Sequence, residues 1–546
     1  MWAQRASWAA VPIVAACLAA APALEVPTGL PAAGEPERPI DVLGYRITVD
    51  VSPDAAAFRA SAEITSVVTV DGTQRVGFDF GGLEVDSLLV AGAAADYEQA
   101  ADQLLVELGR NTAAGDTVVV QVFYGGAPED GLIFRNNVYG RPTVFADNWP
   151  NRAHYWFPGV DHPSDKATVE FRVHAPRQWR VVAVGGLREV VDREDGTRLW
   201  IWATDRPIPV YTMVLGAGDL VERELGTSGC DVEASPCVHV TQWTYPEDEE
   251  HLLQLFHRAP EMVAFYDSLV GPFPYEKLAL VQSSTRYGGM ENSSAIFLTE
   301  RVDRMDSADG LLAHEIAHQW FGDAVTEREW PHVWLAEGFA TYFTSVFFEM
   351  ADGAEVGAAS RARSEATYLR SDVVARPVID AEPENLMRVL NANSYQKGAW
   401  VLHMLRTTVG DDIFFAGIRR YFATYRQRTA LSADFEKIME ETSGEDLGWF
   451  FQQWLYRPGY PRLEVAYSWD AGEGELQILV SQRQEWEAYR LPLDLLAEGE
   501  GYSLRRTFEV RDRESSFEWE LPGAPRRVAA DPDNEILGPV EVVGRR

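Results

Sequence analysis

One stretch constrains the fold more than any other: Ala313 to Tyr342, AHEIAHQWFGDAVTEREWPHVWLAEGFATY. It holds His314, Glu315 and His318 in the pattern His-Glu-x-x-His and, eighteen intervening residues later, Glu337. Residues four apart share one face of a helix, so both imidazoles can be aimed at one point. Apolar residues at helical spacing (Leu311, Leu312, Ile316, Ala317, Trp320) predict a helix over 308–321, with Ser307 as N-cap and Gly322 as the stop. Glu337 falls in a second helical pattern, Val333 to Met350, dense in aromatic residues. A carboxylate inside so apolar a helix is costly unless something neutralises it. Two neutral imidazoles and one carboxylate make a borderline-soft site with a fourth tetrahedral position left for water, which suits a catalytic zinc. Glu315 is not needed as a ligand and can take a proton from the water as it attacks a carbonyl. The bland alternative is a helix with two surface histidines and a solvated glutamate. The apolar periodicity runs against it, and the residues imply hydrolytic chemistry.

Further motifs narrow this. With HEIAHQWFGDAVT and WLAEGFATY, GGMEN at 288–292 before them and YQKGAWVL at 395–402 after, the chain resembles the zinc aminopeptidase family of aminopeptidase N and leukotriene hydrolase. These are the gluzincins, whose third ligand is a glutamate. The motifs fall in the family's order, and a weaker resemblance covers nearly all of the mature chain. It implies one zinc per chain on His314, His318 and Glu337, Glu315 as general base, and Tyr395 as hydrogen-bond donor to the oxyanion. Glu291 would bind the free amine of a peptide substrate. Gly288, Gly289, Met290 and Asn292 belong to the same substrate-binding segment, and paired glycines let a backbone approach an extended peptide. On their own, a glycine pair marks a turn and a tyrosine at a helix start is packing.

One departure from the family stands in FADNWPNRAHYWF. Ten residues before Phe157 the family usually carries glutamine, and eight before it often an acidic or amide residue; here these are Asp147 and Trp149. Asp147 is a candidate acceptor for the substrate's amine and Trp149 only a pocket wall. The alternative is that both merely stabilise a loop. Rival readings on the same motifs are a metallo-endopeptidase, an epoxide hydrolase of the leukotriene type, and an inactive binding scaffold. Glu291 disfavours the first, no feature argues for the lipid tunnel of the second, and the intact ligands, base and tyrosine speak against the third.

At 546 residues the chain is too long for one core. The pattern predicts a multidomain α+β protein. Short alternating strands over 40–225 suggest an all-β domain, saddle-like in the family. Helical patterns dominate 226–460, the expected thermolysin-like catalytic domain, and strands return over 461–546 as a small β-sandwich. No helical C-terminal domain of the kind larger family members carry is expected.

The formal charge is −35, and only four of the 48 basic residues are lysines (Lys166, Lys277, Lys397, Lys437). Such acidity argues against nucleic acid or an anionic membrane as partner. At the N-terminus, Arg5 precedes an apolar run to Ala21, and Ala21-Pro22-Ala23 reads as a cleavage site. Residues 1–23 are thus an expected signal peptide, and the chain an exported, periplasmic or secreted protein. Val14-Ala15-Ala16-Cys17 also resembles a lipobox, and a lipid on Cys17 is the one expected route to a membrane. Residues 24–39, with four prolines, read as a tether. Cys230 and Cys237 read as a local disulfide formed in an oxidising compartment, two free buried thiols being the alternative.

Overall fold

Strict alternation builds the first part of the protein. In the computed structural model, which describes residues 38–53, 57–230, 237–380 and 386–544, strand Ile40–Asp50 buries Val42, Ile47 and Val49 and turns Asp41, Leu43 and Arg46 outward. The expected leader, Cys17 and the tether up to residue 37 lie outside the described residues. Ile40–Asp50 pairs antiparallel with Phe58–Val68 and parallel with Lys166–Pro176, which pairs in turn with Thr197–Ala203. These strands belong to a nine-stranded sheet, accompanied by a four-stranded sheet of Leu132–Asn136, Pro142–Ala146, Arg180–Ala183 and Leu215–Gly218. Tyr211 sits in the 3-10 turn Val210–Thr212. The Thr212 hydroxyl donates to the Pro209 carbonyl and the Asn148 amide to that of Met213, so side chains satisfy this backbone and the strand begins only at Leu215.

The expected boundary at 225/226 falls inside strand Val221–Ser228. This strand forms a hairpin with Val238–Thr244, and the pair continues into a five-stranded sheet through Leu278–Ser283, Ala295–Thr299 and Gly289–Met290. Cys230 and Cys237 are disulfide-bonded across this hairpin, their Cα atoms 4.1 Å apart.

Helices follow: α1 (Glu249–Leu255), α2 (Ala259–Leu269), α3 (Asp309–His318), α4 (Trp334–Phe347), α5 (Ala354–Leu369), α6 (Gly398–Val409), α7 (Asp411–Tyr425), α8 (Ser432–Ser443) and α9 (Gly448–Leu455). Helices α1 and α2 are separate because Pro260 lacks an N–H and is tolerated only in a first turn, where α2 places it. The aromatic face of α4 is the centre of the helical core: Phe339 and Phe343 pack on Phe321, and Trp334 and Phe339 on Phe435. The C-terminal strands form the expected sandwich. One sheet holds Leu463–Asp470, Glu475–Gln482, Glu514–Glu520 and Val540–Gly544, the other Leu491–Gly499, Tyr502–Val510 and Arg527–Ala530.

Candidate active site

Helix α3 begins at Asp309 with Ala308 rather than the expected Ser307 in the cap position, although the Ser307 hydroxyl accepts the Asp309 N–H (3.2 Å), and it ends at His318, earlier than the periodicity suggested. Beyond it the turn is wider than α-helical: Asp323, Ala324 and Val325 donate to the carbonyls five residues back. Gly322 allows this at φ +117°, and a Cβ there would stand only 3.0 Å from His318 Nδ1.

Packing of α3 on α4 brings three donor atoms together. His314 Nε2 and His318 Nε2 are 3.1 Å apart, and each lies 3.2 Å from Glu337 Oε2. Ligands about 2.0–2.1 Å from a tetrahedral zinc stand roughly 3.3 Å from one another, so the triangle has the size such an ion requires. His318 Nδ1 donates to the Phe321 carbonyl (3.0 Å), which leaves its Nε2 as a lone pair facing the other two donors. The charges fit as well. Glu291, Glu315 and Glu337 are all nearly buried around His318, and burial pushes the carboxyls of Glu291 and Glu315 up. Burial acts on Glu337 too, but the two histidines overcome it and hold that carboxyl low. A divalent cation relieves this crowding of carboxylates.

Tyr395 lies in a π-helical turn, Asn393–Lys397, that runs into α6. Such turns put one extra residue into the helix and recur at functional sites. This one is held by the Asn393 amide, which donates to the carbonyls of Val373, Arg376 and Pro377. The Tyr395 phenol donates to Glu337 Oε1 (2.7 Å), and its ring stacks on His314 with centroids 5.9 Å apart. Burial, then the Glu337 charge, keep the phenol protonated far above its ordinary range.

The GGMEN segment forms the wall opposite. Gly289–Met290 is the outermost strand of the five-stranded sheet, pairing only with Ala295–Thr299 among the described residues. A Cβ at Gly289 would overlap the Glu315 carboxylate, whereas one at Gly288 would meet nothing. The Glu291 carboxylate gathers with those of Glu315 and His318 Nε2 or Nδ1 within 4.8 Å, and the Gln319 amide fixes the Glu291 carbonyl (2.6 Å). Asn292 is 1% exposed and stands behind this wall.

Asp147 is engaged within the protein. Its side chain is 1% exposed and lies between the guanidiniums of Arg152 (2.5 Å) and Arg286 (3.1 Å), which already neutralise it. This pairing favours the alternative reading, that Asp147 stabilises its loop, over the amine contact. Trp149 does reach the cleft, set edge-on to Tyr287 and Trp330, and with Tyr287, Met290 and Leu390 it bounds a cavity of about 50 Å³ over the donor triangle. Tyr287 and Leu390 were not singled out from sequence; only the position of Tyr287 directly before the glycine pair could have pointed to it.

Residues 255–454 match the model of the Peptidase family M1 domain, and residues 42–212 that of the Peptidase M1 N-terminal domain, between them more than half of the chain. A probable aminopeptidase 2 of Sulfurisphaera tokodaii is 25% identical over 413 residues, 72% of this chain and 51% of that protein. Aminopeptidase N of Lactococcus lactis is 27% identical over 327 residues, 56% of this chain and 38% of its own. The chain spans about half the length of the curated relatives it matches. An M1 zinc metallopeptidase from Deinococcus radiodurans has the same fold, with a TM-score of 0.67 at 24% identity over 78% of this chain and 95% of that one. A mutant of it was crystallised with a Tyr-Ser-Ala substrate.

Proposed function

Since the chain belongs to peptidase family M1, we propose that it is a zinc aminopeptidase, cleaving the first peptide bond of peptides with a free N-terminus. The observation that carries this reading is the meeting of His314, His318 and Glu337 donors at one point, with the carboxylates of Glu315 and Glu291 beside it. Zinc on that triangle would supply a Lewis acid for the scissile carbonyl and lower the pKa of water. The remaining work belongs to the chain. Glu315 takes the proton of the attacking water and returns it to the departing amine. The Tyr395 phenol, freed from Glu337 Oε1, donates to the oxygen on which negative charge develops. The open edge of Gly289–Met290 offers backbone hydrogen bonds to an extended peptide. Glu291 binds the α-ammonium, because a buried cation without a carboxylate costs several kcal/mol. That contact counts off one residue and disfavours internal cuts. The peptide-bound Deinococcus relative supports the substrate class.

The Cys230–Cys237 bond supports export, as the leader suggested, since such bonds persist in oxidising compartments. Native protein should resist thiol alkylation until reduced; two freely alkylated thiols count against this.

The test of the activity compares a free-amine peptide with its N-acetylated form, with and without a chelator, reading product masses. Stepwise loss of single residues from the free-amine peptide alone, abolished by chelation and restored by zinc, supports the proposal. Efficient internal cleavage of the blocked peptide would replace it with an endopeptidase. Glu291→Ala should lower kcat/KM by ~10²-fold or more while leaving zinc content unchanged, since an anchor at the amine also sets orientation.

A further inference from the structure

Three of the four lysines keep their side-chain nitrogens inside the protein, on backbone carbonyls. Lys277 donates to Ala183 (3.0 Å) and Ser294 (2.9 Å), Lys397 to Arg457 (3.0 Å), and Lys166 to Asp323 (2.8 Å) and Ala324 (2.9 Å). Lys166 differs from the others in what it grips. Asp323 and Ala324 belong to the wide turn that leaves α3 after His318, and the carbonyl before them, that of Gly322, accepts the Tyr211 hydroxyl (3.1 Å). Three successive carbonyls of this turn are therefore held by side chains from the N-terminal β region. The next carbonyl back, that of Phe321, accepts His318 Nδ1–H. Backbone hydrogen bonds occupy the N–H groups of this turn, Phe321 donating to Ala317, Gly322 to Val325 and the next three residues to the carbonyls five back. Yet among the described residues no backbone N–H outside regular helices and strands donates to the Phe321 carbonyl, which precedes a glycine at positive φ and so takes its direction from how the residues after it are held.

We infer that Lys166 and Tyr211 are positioning residues for the metal ligand His318: they clamp the turn whose Phe321 carbonyl sets the imidazole's orientation and tautomer. The inference rests on the zinc reading of the site and extends it to residues some 110 to 150 positions upstream of the ligand. It assigns the N-terminal β region a part in metal affinity rather than in stability alone.

The test measures zinc dissociation constants by competition with a chromogenic chelator, on the full chain and on Lys166→Met, Tyr211→Phe and Lys277→Met, together with the thermal midpoint of each metal-free protein. Loss of an outer partner of a metal ligand weakens binding by roughly 10- to 100-fold. Lys166→Met and Tyr211→Phe should therefore hold zinc about tenfold less tightly. Lys277→Met, which loses an equally internal lysine that does not touch the turn, should be destabilised yet bind zinc as the wild type does. Should Lys166→Met fail to fold, Tyr211→Phe decides, because it removes one hydroxyl and keeps the ring. Wild-type affinity in Tyr211→Phe and in any folded Lys166 variant overturns the inference, as does an equal loss in all three variants. A wild type that binds no stoichiometric zinc overturns the reading beneath it instead.

Discussion

Gly289 and Glu315 compete for the same space: the Glu315 carboxylate occupies the position a Cβ on residue 289 would take. The general base of the proposed reaction is thus located by a missing side chain on the substrate-binding strand. Gly289→Ala should push that carboxylate aside and lower kcat by ~10²-fold or more, as Glu315→Gln should by removing the base. In both variants metal analysis should still find one zinc. An alanine variant running at the wild-type rate would show that the carboxylate has room to work elsewhere.

Tyr395→Phe removes a donor that lies 2.7 Å from Glu337 and within reach of the developing oxyanion. Its kcat should fall by roughly 10²-fold at saturating zinc. Wild-type turnover would reduce the tyrosine to a packing residue.

For Asp147 the expected effect is on stability. Asp147→Asn removes one of two carboxylates from the pair of arginines, Asp130 still pairing with both and Arg286 being half exposed, and should cost about 1 kcal/mol in denaturant unfolding. KM for a free-amine peptide should barely move. A large rise in KM at unchanged stability would return Asp147 to the substrate.

The internal lysines make stability depend on pH. Burial draws Lys166, Lys277 and Lys397 from 10.5 down to about 7, with neighbouring acids opposing it at the first two and Arg457 adding to it at the third. Between about 7 and 10.5 the unfolded chain therefore binds more protons than the folded one, so stability rises with pH through that window and is lost as pH falls through 7. Each excess proton is worth about 1.4 kcal/mol per pH unit. The lysine contribution reads out as a difference, because buried acids held high, such as Glu327 at about 8, act with the opposite sign in both proteins: from about pH 7.5 to about 9.5 the denaturant midpoint of the wild type should gain on that of Lys397→Met. Parallel profiles in the wild type and Lys397→Met would mean that Lys397 stays charged inside.

The metal triangle was legible because its requirements are local: a four-residue helical spacing and a glutamate stranded in an aromatic helix. Tyr395 was legible only through the motif around it, since nothing in composition or periodicity marks a π turn. The orienting carbonyl of Phe321 was not legible at all, because a backbone atom carries no sequence signature. The pairing of Asp147 was hidden for a related reason. One partner, Arg152, stands only five residues on, but nothing in the sequence says that the two side chains turn toward each other, and the second, Arg286, is brought up only by the fold.

With Lys166, Lys277 and Lys397 turned inward, Lys437 on α8 is the one exposed lysine. An amine-reactive label or a lysine-directed protease thus meets a single side chain on the folded molecule. Immobilisation through lysine would tether every molecule by the same helix and leave them in one orientation. Modification of any of the other three lysines would report opening of the body that encloses them, so lysine labelling doubles as a gauge of conformational integrity in this protein.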